Sequence, residues 1–200
     1  MTSDCSVFRN SVATAKSSAK SLPGSIFRVR TFVQADLDDT ALLESVTKWR
    51  RDNQKPFLKL FSPTVDATKN WASGVLQNKD RILFLIEDHN RPIGHIGICD
   101  FGDGFEICDV VRGETSASGT IDDALLSVIR WALDSGLASL HLHVAADALA
   151  AVMLYHRVGF VPDQIVPLAR HRQGSETMWQ PSDDQHDRID RYMLRMKYAI

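Results

Sequence analysis

The apolar residues of the chain recur with two different periods, and the switches between them predict its elements. They alternate through SIFRVRTFV, Ser25 to Val33, as in a half-buried strand. In ADLDDTALLESVTKWRRDN the period becomes helical, with Leu42, Leu43, Val46 and Trp49 on one face, acids early and bases late. SPTVDATKNWASGVLQN predicts a short helix capped by Ser62 or Thr64. RILFLIED is an apolar run of strand length and HNRP is a turn. IGHIGICD and FEICDVV are two further strands, and the Asp103-Gly104 pair between them signals a hairpin. A two-residue turn there would pair Phe101 with Glu106, Cys99 with Cys108 and His95 with Arg112, unless a bulge shifts the register.

Ala124, Leu125, Val128, Ile129, Ala132 and Leu133 make the apolar face of a helix over Ile121–Asp134, which Gly136 ends. SLHLHVA alternates as a strand, Asp147 is the expected cap of ALAAVMLYHRV, and Gly159 stops that helix. FVP opens an extended piece, ARHRQGSETMWQPSDDQHD reads as a long polar loop, and RYMLRMKYAI as the last strand. The order βααβββαβαβ(β) predicts a mixed α/β domain whose sheet is antiparallel at one end and crosses over at the other.

Composition adds boundaries to this picture. Two hundred residues with 44% apolar and 24% charged content suit one domain, expected over residues 23–200. Residues 1–22, rich in Ser, Ala and Lys, are expected to be a flexible N-terminal tail. A net charge of −2 with mixed signs argues against a nucleic-acid or anionic-membrane surface. No apolar run reaches the length of a membrane span. Cys5, Cys99 and Cys108 are too few and too odd for a disulfide framework, which suits a reducing, cytoplasmic setting.

Candidate chemistry begins at VVRGETSASGT, where a strand ends in a Gly/Ser-rich turn that feeds a helix. Backbone N–H groups at a helix start favour an anion such as phosphate, and small side chains let it approach. Arg112 adds a forked donor beside Gly113, Ser118, Gly119 and Thr120. The turn lacks the Gly-Lys-Ser/Thr ending of a P-loop and the glycine spacing of a dinucleotide fingerprint. Taken alone, it fits a plain surface turn equally well.

The order of strand, RGETSASG, helix, strand and AVMLYHRVGF resembles the GNAT superfamily of N-acetyltransferases, best from about Arg81 to Val161 and weakly again at Tyr192–Tyr198. The resemblance implies a central, mostly antiparallel sheet of six to seven strands flanked by helices. It implies acetyl-CoA as co-substrate, its pyrophosphate held by Arg112, Gly113, Ser118, Gly119 and Thr120, with the Val110 and Val111 backbone along the pantetheine arm. Tyr155 matches the family tyrosine that protonates the departing thiolate. Glu106, four residues before Val110, lies near where the family's acetyl carbonyl meets the strand, so it is the candidate base for an ammonium substrate. It acts directly or through water, with His95 as the alternative. His141 and His143 share a strand face, but no third ligand stands at useful spacing and no metal is expected.

Two departures stand out. The loop is longer than the family's usual form, and Ala148 occupies a place where many members have an Asn that holds the cofactor. The longer VRG loop resembles a bacterial subset associated with acetylating amino sugars. The expected acceptor is therefore a primary amine of a small molecule, with a nucleotide-linked amino sugar as the finer reading. A homodimer is left open. The competing reading is a non-catalytic module that binds acyl-CoA as a sensor. Trp49, Phe57, Phe61, Trp71 and Trp179 are either core residues or stacking surfaces for a sugar ring.

Overall fold

The computed structural model describes residues 5–17, 21–22, 27–54, 58–60, 62–102, 104–115, 119–137, 139–173, 176–182 and 188–199. Its strands are β1 (Arg28–Thr31), β2 (Lys59–Leu60), β3 (Arg81–Asp88), β4 (Arg91–Asp100), β5 (Phe105–Arg112), β6 (Leu140–Ala145), β7 (Phe160–Gln173), β8 (Glu176–Pro181) and β9 (Ile189–Tyr198). Its helices are α1 (Cys5–Ser17), α2 (Thr40–Asp52), α3 (Val65–Gln77), α4 (Thr120–Asp134) and α5 (Leu149–Arg157). The strands form one sheet in the order β1-β3-β4-β5-β6-β9-β7-β8-β2. Every pair is antiparallel except β5–β6. The fold is thus the expected mixed α/β one, with nine strands rather than six or seven.

Both faces of the central strands are covered, which is why RILFLIED is apolar throughout. Ile82, Phe84 and Ile86 join a cluster with Phe8 and Val12 of α1 and Ala124, Leu125 and Val128 of α4. Leu83 and Leu85 turn the other way, to Leu42, Val46 and Trp49 of α2 and Ala72 and Val75 of α3. Alternation along one strand therefore serves two cores. The Asp39 and Thr64 side chains accept from the Leu42 and Ala67 N–H groups and so start α2 and α3.

Three expectations are corrected. Much of the expected N-terminal tail is α1, whose Phe8, Val12 and Ala15 are buried at helical spacing. Its Lys16 ammonium donates to the carbonyls of Val75, Leu76 and Asn78 at 2.7, 3.1 and 2.6 Å, closing the end of α3. The expected polar loop after Leu168 is largely the β7–β8 hairpin, with Leu168 paired to Pro181 and Gln173 to Glu176. This hairpin stands at the far side of the sheet with much of its surface in solvent, so its polar sequence carries no apolar alternation. The β4–β5 turn is wider than two residues. Asp100 pairs with Phe105 and Cys99 with Glu106, while Asp103 lies outside the described residues.

Candidate active site

β5 and β6 run parallel and pair only at Phe105–Leu140 and Glu106–His141. Among the described residues no further pair forms between them, and a cleft of about 1450 Å³ opens beyond. Val110 and Arg112 of β5 line it, with Ile121 of α4 and Ala148, Leu154, Tyr155 and Arg157 of or beside α5. The lining also includes Asn53, whose side chain donates to the Arg112 carbonyl at 3.3 Å, with Gln54 and Leu60, and Arg170, Trp179 and Arg191 from the β7–β9 end of the sheet.

A bulge sets how β5 meets this cleft. Gly97 pairs with Cys108, but His95 pairs with Val111, so β5 carries one extra residue. Asp109 takes the strain with φ of 49°. The His95 ring holds the bulge, its Nδ1 2.7 Å from the Asp109 carbonyl oxygen. His95 is buried beneath Trp49 and Trp71, with ring centroids at 6.4 and 5.8 Å. Burial pushes its pKa down to about 4, Arg50 and Arg81 lower it further, and Asp109 opposes them. A neutral imidazole occupied by the backbone is a structural group, not a general base. On the same face Arg81 bonds the Asp109 carboxylate, which further ties β3 to the bulge.

The Gly/Ser-rich turn is only partly a cradle. The Gly113 and Glu114 N–H groups both donate to the Ile93 carbonyl, at 2.8 and 3.0 Å. A Cβ on Gly113 would stand 2.1 Å from the Trp49 ring. Gly113 is therefore a glycine because β5 leaves the sheet against an indole, and its N–H is already taken. This corrects the expectation that it holds pyrophosphate. Trp49 completes the contact by donating from Nε1 to Glu114 at 3.0 Å. Ser118 lies outside the described residues. Gly119, with φ of 83°, is the N-cap of α4 and carries no side chain to cap it. Thr120 is buried at the start of α4. Arg112 is exposed at the rim, and Arg157 donates two hydrogen bonds to the Asp122 carboxylate, at 2.7 and 3.2 Å.

Tyr155 is buried on α5, its ring edge-on to Phe160 with centroids 6.2 Å apart. Burial pushes its phenol well above the usual tyrosine range, with Cys108 and Glu106 adding to the effect. It therefore keeps its proton across ordinary pH and can donate to a developing thiolate. Ala148, not Asp147, is the N-cap of α5. Asp147 instead accepts from Arg191 at 2.7 and 3.0 Å. The N-cap of α5 therefore makes no side-chain cap bond, where many family members have an Asn, and Leu149 and Ala151 of its first turn line the cleft.

Glu106 sits at the last paired position, before the cleft opens, and is not itself a wall residue. The parallel register sets it beside His141, and period two brings His143 onto the same face. Its Oε2 lies 3.1 Å from His143 Nδ1 and 3.8 Å from His141 Nε2. The third group that spacing along the chain did not show is thus a neighbour across strands. Sequence reading named Trp179 at this end of the cleft but none of the arginines around it. The Arg191 guanidinium lies 5.2 Å from the Trp179 ring, and Arg170 and Arg188 meet Asp190 at 3.2 and 3.3 Å. Nothing in the sequence marks Arg170 and Trp179 of the hairpin and Arg188, Asp190 and Arg191 at β9 as one surface before the strands pair. Trp49 is core, while Phe57 and Phe61 lie outside the described residues.

A parallel strand pair that splits over a buried tyrosine, beside a helix N-terminus, defines a transferase built around coenzyme A. The chain belongs to the acetyltransferase (GNAT) family, whose family model matches residues 43–160. It is an acetyltransferase that takes acetyl-CoA as co-substrate. A search of the curated proteins finds no match. Among solved structures the chain is similar to the ribosomal-protein alpha-N-acetyltransferase RimL, with a TM-score of 0.67 and 13% identity over 90% of this chain and 94% of that one. It is similar to the spermidine N-acetyltransferase of Vibrio cholerae solved with CoA and spermine, with a TM-score of 0.63 and 16% identity over 86% and 94%. A ribosomal-protein-alanine N-acetyltransferase of Brucella melitensis gives 0.61 and 15% over 86% and 99%.

Proposed function

We propose that the enzyme acetylates a primary amine of a small molecule by direct attack of the amine on acetyl-CoA, within a reducing, cytoplasmic compartment. The observation that carries this reading is the β5–β6 split with Tyr155 on its wall. Acetyl-CoA enters the split, the pantetheine follows the Val110–Val111 main chain, and the pyrophosphate meets the start of α4 at Gly119 and Thr120 with Arg112 at the rim. Backbone donors at the bulge polarise the thioester carbonyl, and their fixed position is what lowers the barrier. Glu106 accepts the amine proton through water, since the cleft wall starts beyond it. Tyr155 donates to the leaving thiolate.

The acceptor-side wall favours a ring-bearing, anionic amine. Trp179 offers a stacking face, and Arg170, Arg188 and Arg191 outnumber Asp147 and Asp190. A nucleotide-linked amino sugar has both features, whereas a polyamine would meet excess positive charge. A non-catalytic acyl-CoA sensor is not favoured by a family of acetyltransferases. The test is release of CoA with a panel of nucleotide amino sugars, spermidine and peptide N-termini. Turnover highest with a nucleotide amino sugar is the expected result, and preference for spermidine overturns the acceptor reading. Glu106→Gln should lower kcat/KM by about 100-fold, the scale of a positioned base. Full activity in that variant would assign deprotonation to water alone.

A further inference from the structure

We infer that Glu106, His141 and His143 form a binding site for a divalent cation of the zinc type. Three observations meet here. The ligand atoms of the three residues all lie within 4.8 Å of one another. They come from two adjacent strands, Glu106 and His141 facing each other in register and His143 two residues on, so the backbone holds their spacing. His141 is buried, while Glu106 and His143 keep 16% and 25% of their side-chain surface exposed, so the group is fixed at its base and open at its mouth.

The distances suit a shared ion. Ligands at roughly 2.0–2.2 Å from a tetrahedral zinc stand about 3.3–3.5 Å apart. Glu106 Oε2 is 3.1 Å from His143 and 3.8 Å from His141, which brackets that edge length. The two rings meet edge to face at 83° and do not stack, and each offers a nitrogen within 4.8 Å of the other ligand atoms. Two imidazoles and one carboxylate leave a fourth position for water, and this donor set favours zinc over calcium or magnesium, which prefer oxygen.

Occupancy has a consequence for the proposed reaction, and that consequence rests on the reading of Glu106 as base. A carboxylate bound to a cation no longer accepts the amine proton, so zinc switches the enzyme off.

Titration calorimetry of the untagged chain with zinc chloride tests the site directly, without acetyl-CoA. One zinc per chain is expected. His141→Ala, His143→Ala and Glu106→Gln should each weaken binding by more than the ~10–100-fold that loss of a ligand's outer partner costs. Circular dichroism melts identify any variant that fails to fold, and Glu106→Gln keeps the shape of the side chain. No zinc binding by the native chain overturns the assignment. So does binding that survives all three substitutions, which would point to Cys99 and Cys108 instead. Zinc should also slow CoA release by the native enzyme, reversibly with a chelator. Tight binding at the triad with unchanged turnover would overturn the switch and the base role of Glu106, leaving acetyl transfer itself intact.

Discussion

At single residues the site separates groups that act from groups that hold the frame. Tyr155 keeps its proton because it is buried, and donation is the one task left to it. Tyr155→Phe keeps the ring and removes the donor. Its kcat should fall by about 100-fold with KM for acetyl-CoA unchanged, measured by steady-state kinetics. Gly113 acts only through shape. Gly113→Ala drives a methyl into the Trp49 indole, and overpacking of this kind costs about 1–3 kcal/mol. Urea unfolding should show that loss. His95 is the third case. The unfolded chain takes up its proton near pH 6.5, the folded chain only near 4. Its contribution is intact above pH 6.5 and is lost as pH falls toward 4, by about 3 kcal/mol in all. Arg50 and Arg81 face the ring and worsen the loss, and Asp109 moderates it. Urea unfolding at pH 7, 5 and 4 should show this slope, and His95→Gln should flatten it.

At the level of elements, the proposed cofactor side combines the β5 bulge, the start of α4 and the first turn of α5. Neither helix start has a side-chain cap: Gly119 is the N-cap of α4 and Ala148 that of α5. Ala148 thus offers no amide of the kind the family Asn carries. Gly119 takes a left-handed conformation with open space around its Cα. Gly119→Val should therefore leave the core packed, reorient the first turn of α4 and raise KM for acetyl-CoA more than it changes kcat. Helix α1 matters for a different reason. Phe8 lies on Phe105 of β5, with centroids 4.9 Å apart. Phe8→Ala should cost about 3–5 kcal/mol by thermal unfolding, far beyond what a tail residue would show.

For the whole molecule, the proposed reading sets acetyl-CoA between two halves of the sheet. β1, β3, β4 and β5 form one half and β6, β9, β7, β8 and β2 the other, paired among the described residues at two positions. In that reading CoA ties the halves together. At 100-fold excess over Kd it should add about 2.7 kcal/mol of stability. For a chain of this size that is a rise of roughly 5–10 °C in Tm by scanning fluorimetry. Tyr155→Phe should keep the whole shift. Protection by ATP and none by CoA would contradict the cofactor assignment.

Local pattern alone determined most of the central elements. Helices α2, α3 and α4 and strands β3 to β6 each carry an apolar period and a stop signal of their own, and those are properties of short segments. The motif LYHRVGF likewise placed Tyr155 in the sequence. Only the tertiary structure decided the rest. Phe8, Val12 and Ala15 form a stripe, but their sparse spacing in a Ser- and Ala-rich segment reads as solvated until a sheet is there to bury it. The β7–β8 hairpin has polar residues because half of it faces solvent and cleft. Gly113 looked like a phosphate contact because nothing near it in sequence shows Trp49, which folds onto it from 64 positions away. Glu106 reaches His141 and His143 across a single short parallel pairing, and no spacing along one strand encodes a neighbour on another.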